Sequence, residues 1–479
     1  MIPVEFWQRH RMLPMEDTPT RLEVGILPDT PRELLEDIRL QSGKDVKPIL
    51  LTKDQLEEGL RRLVLKESLD NTGSHIEDAE AESAMLDLLH DVGGAPTVRL
   101  VNQLFLEAME LRASDIHIEP FENETAVRLR VDGVLHEKRR VAQKQHAEIS
   151  ARLKVLSRLD LAENRRPQDG RLQVRSGSRV IDVRLSIVPT LYGERLVMRL
   201  LEKNAQALSL EQLGTLDTIQ KQLMGALEHT YGMILITGPT GSGKTTTLYS
   251  LLDKVKSPQT NVLTVEDPVE YRMNGVGQIQ VNERIGLSFA SGLRSILRQD
   301  PDVVMIGEIR DAETANIAVN AALTGHLVLS TLHTNDAPSA ATRLLDLKVP
   351  AFLLSSCLLG VLAQRLVRRL CPQCAKAYTP ADNEWPKIGL ERPPAKFDCR
   401  LPQGCKACFD TGFRGRFGIH EWLPVTMDIS RLIAQEADAR KLREQARLVG
   451  MNSLLEDAAR KVCLGWTSLD EAARAARSM

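Results

Sequence analysis

The chain has 479 residues. That is too long for one compact core, and at ~100–200 residues per domain about three domains are expected. Lys plus Arg number 62 against 64 for Asp plus Glu, a net charge of −2, and aromatic residues make up 4%; without a basic bias or many stacking rings, no nucleic-acid partner is expected.

The first residues, MIPVEFWQRHRML, have Glu5, Arg9 and Arg11 among their apolar positions and do not read as a signal peptide. RLEVGIL (21–27) and VKPILLT (46–52) read as strands. PRELLEDIRLQSG (31–43) and KDQLEEGLRRLVL (53–65) read as helices, the first opened by Pro31 and closed by Gly43. Residues 1–68 are thus expected to form a small α/β module. The stretch 69–91 begins acidic, polar and unpatterned and reads as a linker.

PTVRLVNQLFLEAMELRA (96–113) has helical apolar spacing. In SDIHIEP (114–120), Ile116 and Ile118 alternate with Asp115, His117 and Glu119, which predicts a half-exposed strand. His117 lies between carboxylates, but at period two the three side chains simply share a face, so a structural role is expected. AVRLRVDGVLHEKRRV predicts a hairpin turning at Asp132-Gly133, and RVIDVRLSIV and ERLVMRLL predict further strands. An α+β domain over 92–205 follows, an antiparallel sheet with helices on one face.

From about 206 the pattern changes. MILIT (233–237), NVLTVED (261–267), DVVMIGE (302–308) and HLVLSTL (326–332) are apolar strands separated by helices, which predicts a parallel sheet covered on both faces. AFLLSSCLLGVLA (351–363) reads as a buried helix, shorter than the ~20 residues needed to cross a bilayer. A cytosolic chain is expected, reaching a membrane only through partners.

GPTGSGKTTT (238–247) fits G-x-x-x-x-G-K-[ST] between the strand MILIT and a helix beginning TTTLYSLLDKV. The expected phosphate cradle comprises Gly238, Pro239, Thr240, Gly241, Ser242, Gly243, Lys244, Thr245 and Thr246. Backbone N–H groups and the helix N-terminus would face the phosphates of ATP, Lys244 would reach the outer two, and the Thr245 hydroxyl would hold Mg²⁺. Glu308 emerges after the strand DVVMI, where ligands bind in open α/β sheets, and could orient or deprotonate the attacking water. Glu266, Asp267 and Glu270 in EDPVEY put three carboxylates beside the site, suited to a hydrated Mg²⁺. Whether Glu308 or Glu266 activates water stays open, with Glu308 favoured. His326 and His333 flank HLVLSTL and could both lie at one sheet edge, reporting on a terminal phosphate.

Of seven cysteines, Cys371, Cys374, Cys405 and Cys408 form two C-x-x-C pairs, which suit a tetrahedral zinc site without an open position. Cys357 and Cys463 sit in apolar helical contexts, and Cys399 lies outside the paired spacing.

The glycine loop, EDPVEY, GEIRDAETA and STLHTNDA, in that order, resemble the secretion ATPase superfamily of type II secretion and type IV pilus assembly motors. The resemblance runs from about residue 90 to the C-terminus, and ASDIHIEP, RPQDGR and IVPTLYGERLVMRLL look like this family's smaller domain. It implies a RecA-like P-loop motor domain over 206–479, including a zinc subdomain at 371–423 and C-terminal helices at 424–479. A PAS-like domain would precede the motor. It also implies a homohexamer with ATP between domains and at subunit boundaries. By resemblance, Arg184 and Arg199 approach the phosphates as arginine fingers, and Arg294 and Arg298 belong to the nucleotide and interface region. The tetracysteine site resembles that of exporting and pilus-extending members. Residues 1–68 resemble a module that binds an inner-membrane secretion scaffold, with an inner-membrane platform protein as a further partner. The implied function is a motor on the cytoplasmic face of the inner membrane that assembles a pseudopilus for type II secretion; pilus assembly is the alternative. His420 and Trp422, in GFRGRFGIHEWL, stand where the family pattern suggests an aromatic and an aliphatic residue.

Overall fold

The computed structural model describes residues 10, 12–17, 21–28, 30–42, 44–52, 56, 85–88, 96–176, 179–202 and 207–477. The chain divides into two compact units, Met1–Glu82 and Ser83–Met479. In the first, β1 (Leu13–Asp17) is antiparallel to β2 (Arg21–Ile26), which runs parallel to β3 (Asp45–Leu50). The helix Arg32–Ser42 supplies the crossover that a parallel pair requires. Met12, Leu22, Val24, Ile26 and Ile38 form its core. Pro14 and Pro48 both sit on edge strands, where a missing N–H interrupts no central ladder. The helix expected over 53–65 lies outside the described residues except for Leu56, as does the expected linker up to residue 84.

The second unit contains two large sheets. The smaller-domain sheet consists of β4 (Met85–Asp87), β5 (Asp115–Pro120), β6 (Glu124–Val131), β7 (Val134–Ala142), β8 (Gln168–Ser176), β9 (Arg179–Thr190) and β10 (Gly193–Glu202), in the order β4-β8-β9-β10-β5-β6-β7. All neighbours are antiparallel except β4 and β8. β4 corrects the linker expectation: Met85–Asp87 extends the sheet, with Leu86 buried in its core. The helices Pro96–Glu110 and Gln143–Leu156 pack Leu104, Phe105, Ile149 and Leu153 against Ile116, Ile118, Val183 and Met198. At the β6–β7 turn, Asp132 and Gly133 both have positive φ (49° and 84°), as a two-residue hairpin turn prefers.

β5 is not half-exposed as its alternation predicts; every residue from Asp115 to Pro120 is buried. Arginines on neighbouring strands cover its polar face. Arg128 and Arg195 pair with Glu119, and Arg199 and Arg130 with Asp115. His117 Nδ1 lies 3.6 Å from Glu119, and burial, the largest influence, lowers its pKa.

The motor sheet consists of β11 (Gly232–Thr237), β12 (Val262–Glu266), β13 (Gly277–Gln280), β14 (Val303–Ile306), β15 (Leu327–Leu332), β16 (Leu358–Leu370) and β19 (Phe413–Pro424). Between the last two, β17 (Lys376–Ala377) and β18 (Arg400–Leu401) form a small ribbon. The order is β13-β12-β14-β15-β11-β16-β19, parallel throughout except for β19. Alternate residues feed cores on opposite faces: Met233, Leu235, Val304 and Ile306 enter one, Ile234, Ile236, Val303 and Met305 the other. Burial on both faces explains why these strands are apolar without interruption.

AFLLSSCLLGVLA corrects a second expectation. Only Ala351–Cys357 is helical, and from Leu358 the chain becomes β16 between β11 and β19. A short apolar run fits a buried helix and a buried central strand equally well. The decision is tertiary. A Cβ at Gly360 would lie 2.2 Å from the Trp422 ring, so that ring lies over β16 only because the residue is glycine.

Candidate active site

β11 ends at Thr237, and the next residues form the glycine loop before the helix Lys244–Val255. Gly238 and Gly243 have φ of 150° and 87°, and a Cβ at either would meet Gln364 at 2.4 or 2.8 Å. The loop is therefore clamped to β16, where Gln364 donates to Ser242 O at 2.8 Å and accepts from Thr247 at 2.7 Å. Lys244 is buried, and its ammonium donates to the carbonyls of Gly238 (2.8 Å) and Pro239 (3.2 Å). Burial lowers its pKa, and the negative charge of Glu308 works against that, so these two groups feel one another. Thr245 is exposed at the start of the helix, with Thr246 half-buried beside it.

The C-terminal ends of β11, β12, β14 and β15 bring the loop, EDPVEY, Glu308 and His333 to one sheet edge. Glu308 pairs through one oxygen with Arg310, and its other lies 3.2 Å from His333 Nε2. Burial alone would raise its pKa, but Arg310 and His333 outweigh burial and hold the carboxyl below its ordinary value. Glu266 is built differently. It is 2% exposed, and it accepts from Tyr249 on one oxygen and from Thr264 (2.6 Å) and Gln278 (3.1 Å) on the other. Thr334 ties the end of β15 to β11 through the Thr237 hydroxyl, 2.7 Å between side-chain oxygens.

Across from this edge lies the polar face of the smaller-domain sheet. Two adjoining clefts of about 530 and 670 Å³ share Arg171, Arg184 and Arg284. The first adds Arg199, Asp115 and Asp169, and the second Asp267, Gln280 and Glu283. Arg184 and Arg199 are direct partners across β9 and β10. Burial lowers the Arg184 pKa, and the Glu270 carboxylate opposes it, which sets EDPVEY against the arginine face. Clustered guanidinium groups beside EDPVEY are suited to a polyanion.

The family model for "Type II/IV secretion system protein" matches residues 90–474. The chain belongs to this secretion ATPase family. A second model, the MshEN domain, matches residues 1–68 of this secretion ATPase. "Type II secretion system protein E" of Dickeya dadantii is 44% identical to it over 489 residues, covering 99% of this chain and 96% of that protein. "Type IV pilus assembly ATPase PilB" of Myxococcus xanthus is 41% identical over 484 residues, covering 98% and 85%. The solved pilus retraction motor PilT with bound ADP is 28% identical, with a TM-score of 0.53, covering 78% of this chain and 96% of that one.

Not every expected residue of this secretion ATPase joins the site. His326 corrects the histidine expectation. It precedes Leu327 at the start of β15, whereas His333 follows the end, and β15 runs parallel to β11 with Gly232 opposite Leu327 and Thr237 opposite Leu332. His326 is thus a strand length, about 20 Å, from the glycine loop, and its Nδ1 is bound to Ala321 O at 2.9 Å. Arg294 and Arg298 lie on the helix that includes Phe289–Ile296 and in the turn after it. Arg294 pairs with Glu313, and Arg298 binds Arg294 O at 2.9 Å and Ser295 Oγ at 3.2 Å. Neither lines the two clefts. Three cleft or site residues are not singled out by the sequence reading. Arg171 lies in RPQDGR and Arg310 in GEIRDAETA, so the motifs carry a signal, while Arg284 is placed only by its loop.

The four paired cysteines do converge. One sulfur from each of Cys371, Cys374, Cys405 and Cys408 lies within 4.8 Å of the others. Cys408 Sγ also accepts from the N–H groups of Cys405 and Gly412, both at 3.2 Å. Burial pushes the Cys408 thiol up, but these donors and the neighbouring thiols bring it down to about 7. A thiolate-stabilising four-sulfur group of this size fits a structural metal such as zinc. Cys357, Cys399 and Cys463 stay outside it.

Proposed function

We propose that this secretion ATPase is the motor of a type II secretion system, hydrolysing ATP to drive pseudopilus assembly and protein export. The observation that supports it most is the arrangement of the glycine loop, EDPVEY, Glu308 and His333 at one sheet edge, with Asp267 of EDPVEY lining a cleft together with Arg171, Arg184 and Arg284. In this reading the loop amides and Lys244 hold the phosphates. Thr245, Asp267 and Glu270 serve Mg²⁺ and its waters, and Glu308 orients the attacking water with His333 beside it. Glu266, engaged by three donors, positions EDPVEY. Arg184 and Arg199 meet charge that spreads over the transferring phosphoryl oxygens. Arg294 and Arg298, being peripheral in a single chain, serve a subunit boundary of a homohexamer.

The four sulfurs would hold zinc as a structural centre. Among the described residues no helix is long and apolar enough to cross a membrane. We therefore assign the inner-membrane location to partners: a scaffold protein held by residues 1–68, and a platform protein that takes up the motion. The expected domain limits belong to this proposal, with the linker now ending before β4 at Met85.

The test is complementation in a type II secretion strain that lacks its own ATPase. The full chain should restore export of the secreted enzymes, and Lys244→Ala should not. Restoration of pili in a pilus-motor deletion, without restored export, would transfer the function to pilus assembly.

A further inference from the structure

A third cleft, of about 240 Å³, lies beside the first half of the glycine loop. Pro239, Thr240, Gly241 and Ser242 form one side, and Arg365, Leu366 and Arg474 the other. Two buried polar atoms in its lining lack a hydrogen-bond partner among the described residues, Arg365 Nε and Ser242 Oγ. Arg365 is only 6% exposed, and no ion pair is formed by it among the described residues. Its polar contact is Nη2 to Asn335 Oδ1, at a long 3.4 Å. A guanidinium so buried is costly unless an anion meets it.

We propose that Arg365 reads the terminal phosphate of the nucleotide held on the glycine loop, a reading that rests on the ATP-binding site proposed above. Three observations choose this anion. The cleft touches the first half of the loop, whereas the inner phosphates belong to the second half at the helix N-terminus. Lys244 spans toward the same side, to Gly238 O and Pro239 O. Asn335 is two residues beyond His333, the partner of Glu308, so Arg365 is tied to the same segment after β15 that holds the Glu308 carboxylate. Arg474 at the rim is held by Glu471 at 2.6 Å and is already paired. Arg365 therefore carries the unmatched charge. Its planar fork can exchange a weak amide contact for a two-point contact with phosphate oxygens.

The test compares full-length wild type, Arg365→Gln and Arg365→Lys by equilibrium binding of fluorescent ADP and of ATPγS, with melting temperature alongside. Arg365→Gln should weaken ATPγS about tenfold or more while ADP binding and melting temperature hold, the loss expected for a charged two-point contact. Arg365→Lys should recover part of it, because it keeps the charge and loses the fork. Equal loss of both nucleotides together with a lower melting temperature would make Arg365 structural and overturn the proposal. Unchanged binding of both, with turnover lost only at protein concentrations that assemble the chain, would give the cleft to an anion from a second copy and overturn it too. Failure of wild type to bind either nucleotide would instead strike at the ATP site itself.

Discussion

Glu308 and Glu266 stand at the ends of neighbouring strands, yet they are held differently. Both Glu266 oxygens are filled by Tyr249, Thr264 and Gln278, leaving little capacity for a water. Glu308 is held by side chains that can move, Arg310 and His333, which lie 59% and 47% exposed. Glu308→Gln should lower kcat by about 10²–10⁴ with nucleotide affinity retained, measured by steady-state hydrolysis beside ADP binding. His420 supplies a second residue-scale prediction. It is wholly buried, neither ring nitrogen has a hydrogen-bond partner among the described residues, and burial, with Lys461 beside it, lowers its pKa well below 6.5. The unfolded chain then takes up the proton first, so its stabilising effect is present above about pH 6.5 and lost as pH falls. The urea midpoint should fall between pH 7 and pH 5.5, and His420→Phe should flatten that slope.

At the scale of elements, sequence and structure part where a decision depends on distant chain. The glycine loop was legible because its chemistry is local: glycines with positive φ, a preceding strand and a following helix. The strands β11, β12, β14 and β15 were legible from their uninterrupted apolar runs. Asp115–Pro120 was not, because arginines from other strands bury its polar face. His326 lies away from its expected place because flanking a strand does not say which end meets the ligand; the parallel register with β11 does. The tetracysteine element was legible as two pairs, and the fold adds the N–H donors around Cys408. Metal analysis of the purified chain should give one zinc per chain. Cys408→Ser or strong chelation should lower the melting temperature, while fluorescent ADP still binds the remaining P-loop.

The whole molecule places two differently built faces against each other: a sheet edge rich in carboxylates and a sheet face rich in arginine. Arg184 contributes nothing to the glycine loop's own geometry, so its effect must come through the cleft between the two sheets. Arg184→Ala should leave ADP binding within about twofold and cut turnover by about 10³ or more, the range for an arginine that stabilises phosphoryl transfer. A full rate in the variant would remove it from the chemistry.

β16 carries a consequence of its own. Its middle, at Gln364, grips the glycine loop, and its last residue, Leu370, is followed directly by Cys371 of the sulfur cluster. Six residues of strand, about 20 Å, join the two, paired with β19 except at an irregularity between Arg368 and Leu370. A strand clamped into a sheet transmits tilt and translation with little stretch. The sulfur cluster is in that sense the far end of a lever whose fulcrum is the glycine loop, and a tilt of β16 against that loop would be felt there as a swing.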